Sequence, residues 1–120
     1  MKLSVGETLV ALLYLSGKDN FKLTSDRIRL GQFFYERKER LQEITDLDFV
    51  MKDVFPESDY LDQSLINMCD GNLLIRFPYH YRPTEQLGKA FNYNVKDKVI
   101  GLEEQLTILG KELVETLSIQ

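Results

Sequence analysis

The 120-residue sequence predicts a mostly α domain with a small β-hairpin, an α+β class, closed as a single domain over residues 1–120. Two periodicities and the composition carry that expectation. Apolar residues recur at spacings of three and four over most of the chain, whereas Leu73 to Pro83 alternates with period two; these are the periods of a helix face and a strand face. Hydrophobic residues make up 43% of the chain and aromatic ones 11%, enough to close one core and too many for a disordered chain.

Taken in order, the first helix begins at Ser4, whose hydroxyl caps Glu7 while that carboxylate reaches back, the S-x-x-E capping box. It should stop near Gly17. The run MKLSVGETLVALLYLSG has a loose likeness to a secretion signal, with Lys2 ahead of apolar Leu9 to Leu15. Glu7 interrupts that pattern, no A-x-A-like cleavage site follows and the run is too short to span a bilayer, so it reads as a structural helix. Phe21 and Leu23 make a short extended segment, after which Thr24 or Ser25 caps a second helix, TSDRIRLGQFFYERKERLQE. Its apolar stripe is Ile28, Leu30, Phe33, Phe34, Arg37 and Leu41, weakened by Gly31 by about 1 kcal/mol relative to alanine. ITDLDFVMKDVFPES reads two ways: Leu47, Phe49 and Met51 alternate, Val50 and Val54 have helical spacing, and Pro56 ends the segment.

Ser58 or Asp59 then caps a third helix through Tyr60, Leu61, Leu65, Met68 and Cys69, closed by Gly71 in a left-handed conformation. In the strand region that follows, Leu73, Ile75, Phe77, Tyr79 and Tyr81 share one parity and Arg76, His80 and Arg82 the other. Two arrangements fit. One is a hairpin with Phe77 opposite Tyr81 and Pro78 to His80 at its tip; the other is a single bent edge strand with Pro78 facing away from its neighbour. Thr84 caps a short helix to about Asn92, NYNVKDK is a polar break, and residues 98–118 form a final amphipathic helix striped by Leu102, Leu106, Leu109, Leu113 and Leu117.

Over residues 5–92 this order resembles the winged helix-turn-helix superfamily, in which helix three lies beside helix two and a hairpin "wing" follows it. DYLDQSLINMCDGNLLI is similar to that family's third helix, glycine and strand. YRPTEQLGKAF is similar to its Y-x-L-T-x-x-G exit from the wing, with Pro83 in place of leucine. The resemblance implies a winged-helix-like core carrying an extra C-terminal helix, and a third helix that enters the DNA major groove with Lys and Arg on phosphates and polar side chains on base edges; here Gln63 and Asn67 could read adenine, but the helix carries no Lys or Arg.

Catalysis is not expected. His80 is the single histidine, the glycines at 6, 17, 31, 71, 88, 101 and 110 form no phosphate-cradling run, and there is no G-x-S-x-G. A Cys69–His80 nucleophilic pair is one reading of those two residues, but Cys69 lies four after Leu65 and reads better as a small buried hydrophobe. Asp46, Asp48 and Asp53 lack the glycine and spacing of a calcium loop. No cofactor, metal or membrane contact is implied. With a single cysteine, Cys69, there is no internal disulfide, and the cytoplasm is the expected location.

The net charge of −4 disfavours bulk attraction to nucleic acid. Its distribution is polarised: residues 44–72 carry seven acidic side chains against Lys52 alone, a net of −6, while residues 73–98 net +3. The primary expectation is therefore protein–protein interaction or assembly, with Asp59, Asp62, Gln63, Asn67 and Asp70 on the third helix facing a basic protein partner. The stripe Leu102, Leu106, Leu109, Leu113 and Leu117 either folds back on its own core or pairs with a second copy in a homodimer. The alternative is a DNA-binding transcription regulator gripping duplex phosphates through Arg76, His80 and Arg82, with Arg27 and Arg29.

Overall fold

The computed structural model describes residues 2–119. Helix α1 (Val5–Leu15) starts at the predicted capping box: the Glu7 N–H donates to Ser4 Oγ at 3.1 Å, and the Ser4 N–H donates to Glu7 Oε1 at 2.9 Å. Then come β1 (Leu23–Thr24), α2 (Arg27–Glu36), α3 (Lys38–Leu41), β2 (Val50–Lys52), β3 (Phe55–Glu57) and α4 (Asp59–Asp70). Strands β4 (Leu74–Arg76) and β5 (His80–Pro83) follow, then α5 (Glu85–Ala90) and α6 (Glu103–Leu117). The chain is α+β, with a three-stranded antiparallel sheet in the order β1-β5-β4 and a separate two-stranded sheet, β2-β3.

The core is built around α1. Its residues Thr8 to Leu13 are all buried, because α4, α6 and the turns after α5 surround it. The closest approach is to α6, where a Cβ on Gly110 would sit 2.1 Å from the Leu12 carbonyl oxygen. Only a glycine lets these two backbones meet. The predicted leucine stripe fills the seam: Leu106, Leu109, Leu113 and Leu117 are buried within the chain, and Leu102 packs against the core edge. A dimer through this stripe would require α6 to leave α1.

Several local expectations are corrected. The second helix is capped by Asp26, which accepts from the Ile28 and Arg29 N–H groups, and not by Thr24 or Ser25; the Thr24 hydroxyl instead accepts from the Asp26 N–H. It also breaks at Arg37 (φ −110°, ψ 15°), leaving α2 and α3 as separate pieces. There the guanidinium lies 3.7 Å from the centre of the Phe33 ring and donates to the Phe33 carbonyl and to Glu112, so the turn is held by side-chain contacts to α6. Ile28 is exposed instead of joining the stripe. Pro56 does not end a segment but sits inside β3.

At the end of α4 the left-handed residue is Asn72 (φ 63°), while Gly71 keeps φ −84°. The Asn72 N–H donates to the Cys69 carbonyl and the Leu73 N–H to the Met68 carbonyl, a Schellman closure that asparagine tolerates because its short polar side chain is at ease in that region. NYNVKDK is not a break: Phe91–Val95 makes a wide helical turn and Lys96–Val99 a tight one, burying Phe91, Val95 and Val99. The last helix therefore starts at Glu103, not at 98.

The region after α4 is a hairpin, with a register different from the expected one. Leu74 pairs with Pro83, Ile75 with Arg82 and Arg76 with Tyr81. The Phe77 N–H donates to the His80 carbonyl, so Phe77 faces His80 and the tip is Pro78 and Tyr79 alone. A two-residue tip swaps the parity of the second arm relative to the first. Consequently Leu74 and Tyr81 turn inward, while Ile75, Phe77, His80 and Arg82 share the outer face.

Candidate interaction surface

Helix α4 positions the acidic residues. Leu61, Leu65 and Met68 are buried, which leaves Asp59, Tyr60, Gln63, Ile66, Asn67 and Asp70 on the exposed side. Ser58 starts the helix by accepting from the Leu61 N–H, and Asp59 and Asp62 in the first turn are well placed for its dipole. On that outer face Gln63 Nε2 donates to Asn67 Oδ1 at 3.0 Å, holding both amides flat against the helix. Tyr60 is 62% exposed, and with Ile66 it adds an apolar component that charge counting had missed. Both lie one residue from a buried leucine, Tyr60 before Leu61 and Ile66 after Leu65, so only the helical phase distinguishes them from core.

Asp62 is the exception among the predicted residues. It is ion-paired with Arg27 of α2, and the same guanidinium lies 3.9 Å from Glu57, which in turn lies 3.1 Å from the Lys52 ammonium. The pairing with Asp62 pushes the Arg27 pKa up and fixes α4 to α2. Arg27 and Asp62 are thereby framework residues on the rim of a shallow groove. Its walls are α2, α4 and the inner face of the hairpin, where Arg76 and Tyr81 lie.

The five residues named for nucleic acid do not form one surface. Arg27 is paired with Asp62. Arg29 donates to the Thr116 carbonyl at 3.0 Å, closing the end of α6. Arg76 shares the inner face with Tyr81, its guanidinium 6.0 Å from that ring. Only His80 and Arg82 remain together on the outer hairpin face. There the Phe77 and His80 rings stack at 4.9 Å between centres, and Arg82 Nε donates to His80 Nε2 at 3.3 Å. Desolvation, with the Arg82 and Lys22 charges, lowers the His80 pKa below its ordinary value, which keeps the ring neutral and able to accept that bond. Tyr79, at the tip, is 78% exposed.

Cys69 and His80 are not a pair. Cys69 faces the inner side of the hairpin near Arg76 and Tyr81, His80 the outer side, and desolvation pushes the thiol pKa up, away from a nucleophilic thiolate. Asp46 is bound to Lys2 at 2.9 Å, and among the described residues no three His, Cys, Asp or Glu side chains converge as a metal would need. No described helix is long and apolar enough to cross a membrane.

One surface lay outside the sequence reading. The ambiguous stretch before α4 is the β2-β3 hairpin, turned at Asp53 (φ 56°) and Val54, with Val50, Met51, Val54 and Phe55 all exposed. The signal was present as alternation at Leu47, Phe49 and Met51, but a turn without glycine concealed the return strand. No protein-family model, no curated protein and no solved structure matches the chain.

Proposed function

We propose that this chain is a non-catalytic, winged-helix-like module that acts by macromolecular contact, docking a basic protein segment on the outer face of α4. Support for the family reading comes from the run of α1, β1, α2 and α4 with a hairpin directly after α4, and from the Arg27–Asp62 pair that lays α4 against α2. The inserted β2-β3 hairpin is a departure from that plan.

The observation that carries the choice of partner is charge placement on α4. Asp59 and Asp70 stand exposed beside Tyr60 and Ile66, the helix itself has no Lys or Arg, and the nearest cation on α2 is already paired with Asp62. A phosphate backbone would meet carboxylates there, whereas a lysine- or arginine-bearing peptide would meet complementary charge around an apolar centre. The experiment is a fluorescence-anisotropy titration of a lysine-rich peptide carrying one aromatic residue. Binding should weaken as salt rises and fall about tenfold in the Asp59→Asn/Asp70→Asn variant. Unchanged binding in that variant would move the contact off α4.

The second reading, duplex DNA gripped by the hairpin, draws on His80 and Arg82 beside the exposed Tyr79. Its support is narrower, since Arg27 and Arg29 are engaged inside the chain.

A further inference from the structure

Among the described residues strand β2 has a neighbour on one side only: it pairs with β3, in the register Val50–Glu57, Met51–Pro56 and Lys52–Phe55. Which of its backbone groups point outward follows from Pro56. Proline has no N–H to give, and the Pro56 carbonyl points at α2, so near that a Cβ on Gly31 would lie 2.3 Å from its oxygen. The Met51–Pro56 pair is therefore the wide, non-hydrogen-bonded kind, with the polar groups of both residues directed away from each other. Met51 therefore directs its N–H and C=O groups to the open edge, and Phe49, just outside β2 with its ring edge-on to Tyr35, shares that parity where the strand is extended by pairing. Apart from the hairpin's own ladder, no backbone–backbone bond among the described residues engages Asp46 to Glu57. Val50 is 62% exposed and Met51 53%. An apolar, unprotected edge of this kind is one that proteins ordinarily blunt.

The residues along that edge read Asp48-Phe49-Val50-Met51-Lys52. Run antiparallel to itself about Val50, this segment sets Asp48 against Lys52 at both ends, Phe49 against Met51 on either side of the centre, and Val50 against Val50. The same register makes each Phe49–Met51 couple the hydrogen-bonded one, because these are the residues whose polar groups face out. Moving the alignment by one residue on each copy away from the turn would set Lys52 against Asp46, which Lys2 already holds at 2.9 Å, so charge favours Asp48, with Lys52 shared between it and Glu57 of its own hairpin, 3.1 Å away. Shifting the alignment by one residue on each copy toward the turn sets Val50 against Lys52 and Phe49 against Asp53, and the ion pairs are lost. We propose that the open edge of β2 pairs antiparallel with the same edge of a second copy of this chain, joining two hairpins into one four-stranded sheet about a two-fold axis at Val50. The contact is separate from the outer face of α4 and leaves that face open for a partner. A contact of this size forms a weak dimer, populated at chain concentrations on the order of 100 µM.

The test combines sedimentation of the intact chain over a concentration series with cysteine cross-linking in a Cys69→Ser background. Facing residues of a non-hydrogen-bonded pair have Cα atoms about 4.5 Å apart, within disulfide reach. Val50→Cys should therefore give a covalent dimer on mild oxidation, well above Met51→Cys and above Tyr93→Cys, a control distant in sequence and more exposed. Met51→Pro, which removes an outward N–H without touching the hairpin's own bonds, should abolish the sedimenting dimer, and Asp48→Lys should weaken it about tenfold through two like-charge contacts. A chain that stays monomeric at millimolar concentration would overturn the proposal. So would a Val50→Cys yield no greater than that of Tyr93→Cys, or preferential linkage through Met51→Cys.

Discussion

The seam between α1 and α6 and the β2-β3 hairpin are both rich in apolar residues, and they use them in opposite ways. At the seam, Ala11, Leu12, Leu13, Leu106 and Leu113 have no exposed surface, and two backbones touch where Gly110 meets Leu12. In the hairpin, Val50, Met51, Val54 and Phe55 all face solvent, and it is held along β3, where Pro56 approaches Gly31 closely and Glu57 lies 3.9 Å from Arg27. Stability belongs to the first region. The second is free to change without unfolding the chain, which is the condition an interaction surface needs.

The sharpest way to break that contrast is to disturb the seam. Leu113→Ala should destabilise the chain by about 4 kcal/mol in urea unfolding, since the cavity is walled by rigid helices. Gly110→Ala should follow at about 3 kcal/mol, because its methyl group requires the α1 and α6 backbones to separate. Gly6→Ala supplies the opposite sign: its Cβ would meet nothing nearer than Ser4 Oγ at 4.0 Å, so helix propensity should win and stability rise by about 0.5 kcal/mol.

A smaller effect lies at the ion pairs that tie α6 to α2 and α3. Glu112 accepts from Arg40 and Arg37, and these bonds hold its carboxyl below the ordinary value. A carboxylate with a depressed folded-state pKa stabilises the fold above its unfolded pKa and loses that contribution as pH falls through the folded value. Glu112→Gln should therefore cost about 1 kcal/mol at pH 7 and markedly less at pH 3, read from urea midpoints of both proteins. The smallest effect is expected at the hairpin tip, where Val54 is 73% exposed: Val54→Lys should change stability by less than about 0.5 kcal/mol. In dilute solution the Met51 amide should exchange hydrogen rapidly, while the amides of Leu12 and Leu13 exchange only on global unfolding.

The parts of this molecule legible in its sequence are those that a local rule specifies. Ser4 with Glu7, Ser58 and Thr84 announce their helices because a cap acts within three residues. The α6 leucines announce a buried face, although nothing local says that the face is covered by α1 of the same chain. The hairpin register was hidden because Tyr81 shares odd parity with Ile75 and Phe77, yet a two-residue tip sends it inward and them outward. Arg27 and Arg29 read as free cations on an amphipathic helix, and their partners, Asp62 and the Thr116 carbonyl, lie 35 and 87 residues away. The acidic face of α4 was readable, whereas Tyr60 and Ile66 within it needed the helix phase.

The most direct measurement of the contact assignment is a pair of separate low-salt titrations, since a lysine-rich peptide and DNA mixed together would bind each other: the intact chain is added to the labelled peptide in one series and to labelled random duplex DNA in the other. The account predicts that the peptide binds and the DNA does not, even at low salt where its attraction is strongest, because the carboxylates of α4 repel phosphate. DNA binding that is lost when salt is raised and weakened by Arg82→Ala, with no binding of the peptide, would contradict it and give the hairpin face the leading role.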